Sequence, residues 1–293
     1  MIEYDLPLYR PPSEARSLIF QVTLGCSHNK CAFCVSYQDK KFRIRKRKDV
    51  FDEIDLASKE FPNTRRIFLA DGDAMAMKPE RMADIVRRLY SKFPKLERVT
   101  AYAGPGNLLN RSVERLAQVR TAGLTMLYFG LESGDDQVLQ RIQKGFSRKQ
   151  MVEACAIAHE AGFDLSVTVI LGLAGPKGSR SHAQQTAKAL DQICPKYASA
   201  LTLMLEPRTP SYEECYGDAH WRPLSPEESL SECRVLIENI NRDGIIFRSN
   251  HASNYVALKG VLQQDKRRLI ETIDLALSDP ASPIRRPEWM RGL

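Results

Sequence analysis

Three of the seven cysteines in this 293-residue chain, Cys26, Cys31 and Cys34, fall within nine residues, in the segment 25–34, GCSHNKCAFC. The spacing is C-x4-C-x2-C. Three thiolates on one short loop can converge on a soft metal centre. Two centres suit these residue types. A closed, tetrahedral zinc site would take His28 as its fourth ligand. A [4Fe–4S] cluster would take the three cysteines and leave one iron open. Structural zinc usually draws its ligands from two separated knuckles, and the sequence carries no second CxxC and no HxxxH. The other cysteines are scattered. Cys155 and Cys233 fall on the apolar faces of predicted helices, and Cys215 lies in a polar segment, SYEECYGD, with no evident partner.

The elements that must position this loop alternate between strand and helix. Residues 17–24 (SLIFQVTL) read as a strand, and the cysteine loop follows it directly. Further strands are predicted at 66–70, 97–103, 125–129, 164–171, 200–205 and 245–248. Helices are predicted from about 50 to 60, through Met82, Ile85, Val86 and Leu89, after an N-cap at Ser112, from the Ser147/Gln150 capping box to Gly162, over 181–193, and from Ser225. The Ser225 helix would bury Leu230, Cys233, Ile237 and Ile240. A last helix covers about 266–277, and the Pro- and Arg-rich tail reads as irregular. Repeated βα units imply parallel strands with right-handed crossovers. The expected fold is α/β, a partial (β/α)6-type TIM barrel with a C-terminal α/β extension. In such a fold the active site forms on loops at the C-terminal ends of the strands, where the cysteine loop already lies.

The cysteine loop resembles that of the radical S-adenosylmethionine (SAM) superfamily, with Phe33 supplying the aromatic before the last cysteine. The common family spacing is C-x3-C-x2-C, so this loop carries one extra residue. Later motifs resemble the coproporphyrinogen-oxidase-like and methylthiotransferase-like branch. Asp71-Gly72-Asp73 is similar to the family's Gly-Gly-Glu motif, which meets the SAM amino group. A glycine allows close backbone approach, and Asp73 would be the carboxylate acceptor for an ammonium. Tyr102 stands where related enzymes carry an acid that touches SAM. Glu132, in Gly130-Leu131-Glu132, would contact the SAM ribose or amino acid, and Lys144 its carboxylate. Gly172 belongs to a glycine-rich strand end that packs against adenine, and Thr168 matches a ribose-contacting position. The segment 206–210 (EPRTP) resembles the adenine-side loop.

The resemblance implies a radical SAM enzyme. Cys26, Cys31 and Cys34 would bind three irons, and SAM would chelate the fourth. A flavodoxin or ferredoxin would reduce the cluster, and the resulting 5′-deoxyadenosyl radical would take hydrogen from a substrate. The reaction, oxidoreductase or transferase, is left open. The domains expected are an N-terminal extension at 1–16, the core barrel at 17–210, and an extension at 211–293 that closes the substrate pocket. In that extension the loop 248–255 (RSNHASNY) is polar and follows a strand, so Arg248 and His251 are candidate substrate-facing residues.

The alternative is a zinc-binding protein with a basic RNA-binding loop and no redox chemistry. The net charge is +7, and much of the excess sits in 40–48, KKFRIRKRK. That run reads either as a polyanion-binding stripe or as a solvated loop entering a helix. A small-molecule substrate is favoured over tRNA. No run of about 18 apolar residues is present to span a membrane. The N-terminus, MIEYDLPLYRPPSEAR, has no apolar signal core, so a cytoplasmic location is expected.

Overall fold

The structure, a computed structural model, describes residues 2–206 and 221–292. The chain divides into two compact units that interleave along the sequence. The first comprises Met1–Asn29, Cys34–Phe129 and Glu153–Leu165; the second comprises Lys30–Phe33, Gly130–Val152 and Ser166–Leu293.

In the first unit, parallel strands β1 (Leu18–Gln21), β4 (Arg66–Ala70), β5 (Arg98–Ala103) and β6 (Leu124–Glu132, through Phe129) lie side by side in that order. Helices α1 (Arg47–Glu60), α2 (Pro79–Lys92), α3 (Pro105–Leu109) and α4 (Val113–Thr121) occupy the crossovers. The expected stripe of Met82, Ile85, Val86 and Leu89 is fully buried. The strand expected at 17–24 breaks at Val22. Its last residues, β2 (Thr23–Leu24), leave the sheet to pair antiparallel with β3 (Arg43–Ile44). Thr23 still accepts from Asp71 N–H at 3.2 Å, so this small ribbon runs beside the end of β4 just before the cysteine loop.

The N-terminal extension is docked rather than loose. Glu14, in a short 3-10 turn, is fully buried and accepts hydrogen bonds from Tyr128 Oη (2.6 Å) and Arg98 (2.7 Å).

In the second unit, β7 (Asp164–Leu171, from Ser166), β8 (Tyr197–Thr202) and β9 (Ile246–Ser249) are parallel. A strand that the sequence did not suggest, β10 (Leu258–Val261), pairs antiparallel with β9. The helices are α5 (Asp136–Arg141), α7 (Gly175–Ile193), α8 (Pro226–Asn239) and α9 (Lys266–Ser278). Helix α6 (Arg148–Glu160) begins in this unit and ends in the first. Its capping box is present, with Gln150 N–H donating to Ser147 Oγ and Ser147 N–H to Gln150 Oε1. Ser225 and Glu228 form the second capping box, on α8. The faces predicted for α6 and α8, with Cys155 and Cys233 among them, are buried.

Helix α7 starts six residues before the expected 181. Gly175-Pro176-Lys177-Gly178 looks like a turn, but Pro is compatible with the first helical turn because its missing N–H would have no partner there. The tail is also more ordered than expected. Arg285 bridges to Val256, and Arg286 N–H donates to the Tyr255 carbonyl at 2.6 Å. The domain boundary expected at 210/211, most of the 206–210 segment and Cys215 lie outside the described residues.

Candidate functional site

The first unit gathers its chemistry just past β2, β4 and β5. Cys26, Cys31 and Cys34 lie on one loop, each half-buried and none in a disulfide. Burial pushes the Cys26 thiol up. The backbone N–H groups of Asn29 and His28 oppose that shift by hydrogen bonding the sulfur, and the Asp73 carboxylate adds to it.

Gly72 brings the end of β4 against this loop. A Cβ there would lie 2.5 Å from the Tyr37 ring and 3.1 Å from Cys26 Cβ. The residue must therefore be glycine, as close backbone approach requires. Asp73 is buried and accepts from Gly104 N–H at 3.0 Å, from the Ser27 hydroxyl and from the Asn107 amide. Burial raises its pKa, and these three donors oppose the rise. A carboxylate has about four acceptor positions, so Asp73 keeps capacity for one further donor. Asp71 faces the other way. Its side chain is fully buried and paired with Lys40 at 3.0 Å. Tyr102 packs edge-on against Phe68 and Tyr128, with ring centroids 5.0 and 6.1 Å away, and burial raises its pKa.

Among the described residues, no three His, Cys, Asp or Glu side chains converge on one metal-ion position. The closed Cys3His zinc set with His28 is not assembled among the described residues, and that alternative gains no support. A four-iron cluster asks for one thiolate per iron at separate corners, a different demand. Three soft donors on one loop, none in a disulfide, fit it.

The second unit carries the remaining candidates. Glu132 ends β6 in the left-handed region, φ 63°. A non-glycine residue there costs about 1–3 kcal/mol and persists only where its surroundings enforce it. Its carboxylate accepts from Lys144 Nζ at 3.0 Å, both side chains largely buried. A Cβ at Gly130 would sit 2.1 Å from that carboxylate. The two residues expected to touch different parts of SAM are therefore partners of each other. Phe33 packs on an apolar cluster of Val138, Leu139, Ile142, Ile170, Leu173 and Trp221. Thr168 is half-buried on β7.

Gly172, φ 92°, donates its N–H to Glu232 Oε1 at 2.9 Å. Glu232, fully buried on α8, also meets His182 Nδ1 at 2.8 Å and accepts from the Ser179 hydroxyl. Sequence reasoning missed Glu232, because it lies sixty positions from Gly172 on a helix whose cap and apolar face gave no hint of a buried carboxylate.

The loop after β9 is largely self-satisfied. Asn254 bridges the Ala200 carbonyl (2.9 Å) and the Thr202 hydroxyl (2.9 Å), and Ser253 Oγ accepts from Thr202 N–H (3.2 Å). His251 Nδ1 accepts from Ser253 N–H at 3.1 Å, which assigns the ring proton to Nε2. Burial and the Arg286 guanidinium lower the pKa of His251 below 6.5. Arg286 donates to the carbonyls of His251 (3.0 Å) and Ala252 (3.1 Å), so the tail clamps this loop. Arg248 is half-buried on β9, in register with Ser199 and Lys259.

Most of the basic run is solvated: Lys41, Arg43, Lys46, Arg47 and Lys48 are exposed, while Lys40 and Arg45 turn inward. Lys40 is buried, Arg45 pairs with Glu53 at 2.7 Å, Arg47 with Asp84 at 3.2 Å, and Lys48 with Asp52 at 2.5 Å.

A model of the radical SAM superfamily matches residues 20–190, more than half of the chain. The chain belongs to the radical SAM superfamily and is an enzyme of that class. The family's cofactors are a [4Fe–4S] cluster and SAM, and its members need a reductant.

The chain is 26% identical over 190 residues to the heme chaperone HemW of Bacillus subtilis, covering 63% of this chain and 48% of that one. It is 24% identical over 247 residues to the tRNA-2-methylthio-N(6)-dimethylallyladenosine synthase of Thermus thermophilus, covering 80% and 50%. The chain spans about half the length of these curated relatives. Among solved structures it resembles methylornithine synthase (TM-score 0.56, 15% identity, 88% of this chain and 68% of that one). It also resembles the coproporphyrinogen III oxidase of Escherichia coli (TM-score 0.55, 17% identity, 76% and 51%). These likenesses show the fold, the α/β partial barrel of the family. No helix among the described residues is long and apolar enough to cross a membrane.

Proposed function

We propose that Cys26, Cys31 and Cys34 hold a [4Fe–4S] cluster at which SAM is cleaved. The observation that carries this reading is the set of three cysteines on one loop, none in a disulfide, with Gly72 packed so close that a Cβ on it would lie 3.1 Å from Cys26 Cβ, in a chain of this family. Held there and given one electron by a reductant, the cluster would supply reductive cleavage of the SAM sulfonium, leaving methionine and a 5′-deoxyadenosyl group able to take hydrogen from a substrate.

The chain's own residues bind and orient. Asp73, held by Ser27, Gly104 and Asn107, offers its remaining acceptor capacity to the SAM ammonium. Lys144 neutralises the SAM carboxylate, and Glu132 takes a ribose or amino-acid donor in exchange for part of its present bond to Lys144. Thr168 and the Gly172 strand end line the nucleoside, and Phe33 holds the cluster loop to an apolar wall. His251, neutral with Nε2–H directed outward from its Ser253 bond, and Arg248 orient the substrate. Residues 17–210 form the barrel core, and 211–293 shape the substrate pocket. A flavodoxin or ferredoxin supplies the electron, and the protein works in the cytoplasm. A small-molecule substrate is favoured over tRNA, since Lys40 is buried and Arg45, Arg47 and Lys48 already have carboxylate partners.

The test is equilibrium binding of SAM to the anaerobically reconstituted protein. Binding should require the iron, and Lys144→Met should weaken it about 10- to 100-fold, the usual cost of losing a charged partner at such a site. Iron-independent binding, or none, would contradict the reading.

A further inference from the structure

The cluster loop leaves the fold at Gly25 and returns at Lys40, and its two ends nearly touch. A Cβ on Gly25 would sit 3.3 Å from Lys40 Cβ. One side chain lies beneath both ends. Asp71 Oδ2 accepts from Gly25 N–H at 3.3 Å, from Gln21 Nε2 at 3.2 Å and from Lys40 Nζ at 3.0 Å. The Asp71 side chain is 0% exposed and that of Lys40 is 6% exposed. Lys40 also donates to the Asp5 carbonyl at 2.5 Å and lies 3.1 Å from the Asp5 carboxylate. Asp71 adjoins Gly72-Asp73, the segment assigned to the SAM ammonium.

A loop with adjoining ends is placed in part by its own packing and in part by whatever fixes those ends. A buried ion pair fixes them with direction, because either charge left alone in that place is costly.

We propose that Lys40 and Asp71 are positioning residues. Their buried pair closes the neck of the cluster loop and sets it in register with Gly72-Asp73, so that loop and SAM motif move as one body. The proposal rests on the reading of Cys26, Cys31 and Cys34 as cluster ligands. It gives Asp71 a role toward the loop rather than toward SAM, and it removes Lys40 from any polyanion-binding surface.

The experiment compares the full chain with Lys40→Met, Asp71→Asn and, as an exposed control, Lys41→Met. Each is checked by circular dichroism and reconstituted anaerobically. Lys40→Met and Asp71→Asn should fold and load iron and sulfide. Their affinity for SAM should fall about 10- to 100-fold, as for other residues that orient a cofactor's ligands. The change that SAM causes in the electron paramagnetic resonance spectrum of the reduced cluster should shrink or vanish. In the apo-proteins, trypsin should cut at the exposed Lys30 faster than in the unaltered chain. Lys41→Met should match the unaltered chain throughout.

Unchanged SAM affinity and spectrum in both neck variants would overturn the proposal. So would failure of both to fold, since the pair would then be an element of the core and not of the loop. If the unaltered chain loads no iron or binds no SAM, it is the cluster reading that fails. The trypsin comparison on apo-protein then still decides whether the pair closes the neck.

Discussion

Gly72 and His251 show how a single residue's surroundings decide what it can be. At Gly72 the β4 end has no room for a methyl group, because the Tyr37 ring occupies that space and is itself buried. Gly72→Ala should therefore destabilise the protein by about 1–3 kcal/mol, the usual cost of overpacking, read as a lowered urea midpoint. His251 gives a pH prediction. Its folded pKa lies below 6.5, so the unfolded chain binds the proton more readily. The stability it contributes is present above the unfolded pKa and is lost as the pH falls through the folded one. His251→Gln should flatten that acid limb in denaturation curves collected from pH 7 to 5 and leave the rest unchanged. The site candidates that the sequence offers share one property: their signal is local. The three cysteines and the Asp-Gly-Asp turn each fit in a few consecutive positions. The partnership of Glu132 with Lys144 was not legible, because it depends on a left-handed backbone at Glu132 that no residue type announces.

At the scale of elements, the helix and strand order followed from periodicity and caps, and the ends did not. Strand 17–24 contained enough β-branched and aromatic residues to read as one piece. Its split at Val22 arises from pairing with Arg43 and Ile44, a contact across about twenty positions. Helix α7 was shortened in prospect by its Gly-Pro-Lys-Gly start. The junction of β7, α7 and α8 depends on Glu232, which ties Gly172, Ser179 and His182 together in the interior. Glu232→Gln keeps the shape but puts an amide where only donors converge. It should cost about 1–3 kcal/mol, the penalty for a buried polar group left without its partner, measured as a lowered denaturation midpoint. SAM affinity should fall with it, because Gly172 loses its anchor.

For the whole molecule, the net charge is +7, and Lys40, Arg45, Arg47 and Lys48 of the 40–48 run have carboxylate partners, Lys40 in the interior and Arg47 and Lys48 at the surface. A protein that grips RNA by its phosphates loses affinity steeply with salt. Any RNA binding by this chain should be weak and should lack a steep slope in a salt titration; tight, steeply salt-dependent binding of tRNA would revive the polynucleotide reading. The fold class and the place of the cysteine loop could be read from the sequence, because alternating βα units put functional loops at one end of each strand. The substrate could not, because the loop after β9 gets its shape from the Arg286 clamp in the tail. The central claim is that three cysteines on one loop make this chain a radical SAM enzyme. The most direct measurement is 5′-deoxyadenosine formed from SAM under strong anaerobic reduction, after reconstitution with iron and sulfide, by the unaltered chain and by Cys31→Ala. The account predicts formation by the first and none by the second. Equal formation by both, or none by a fully iron-loaded unaltered chain, would contradict it.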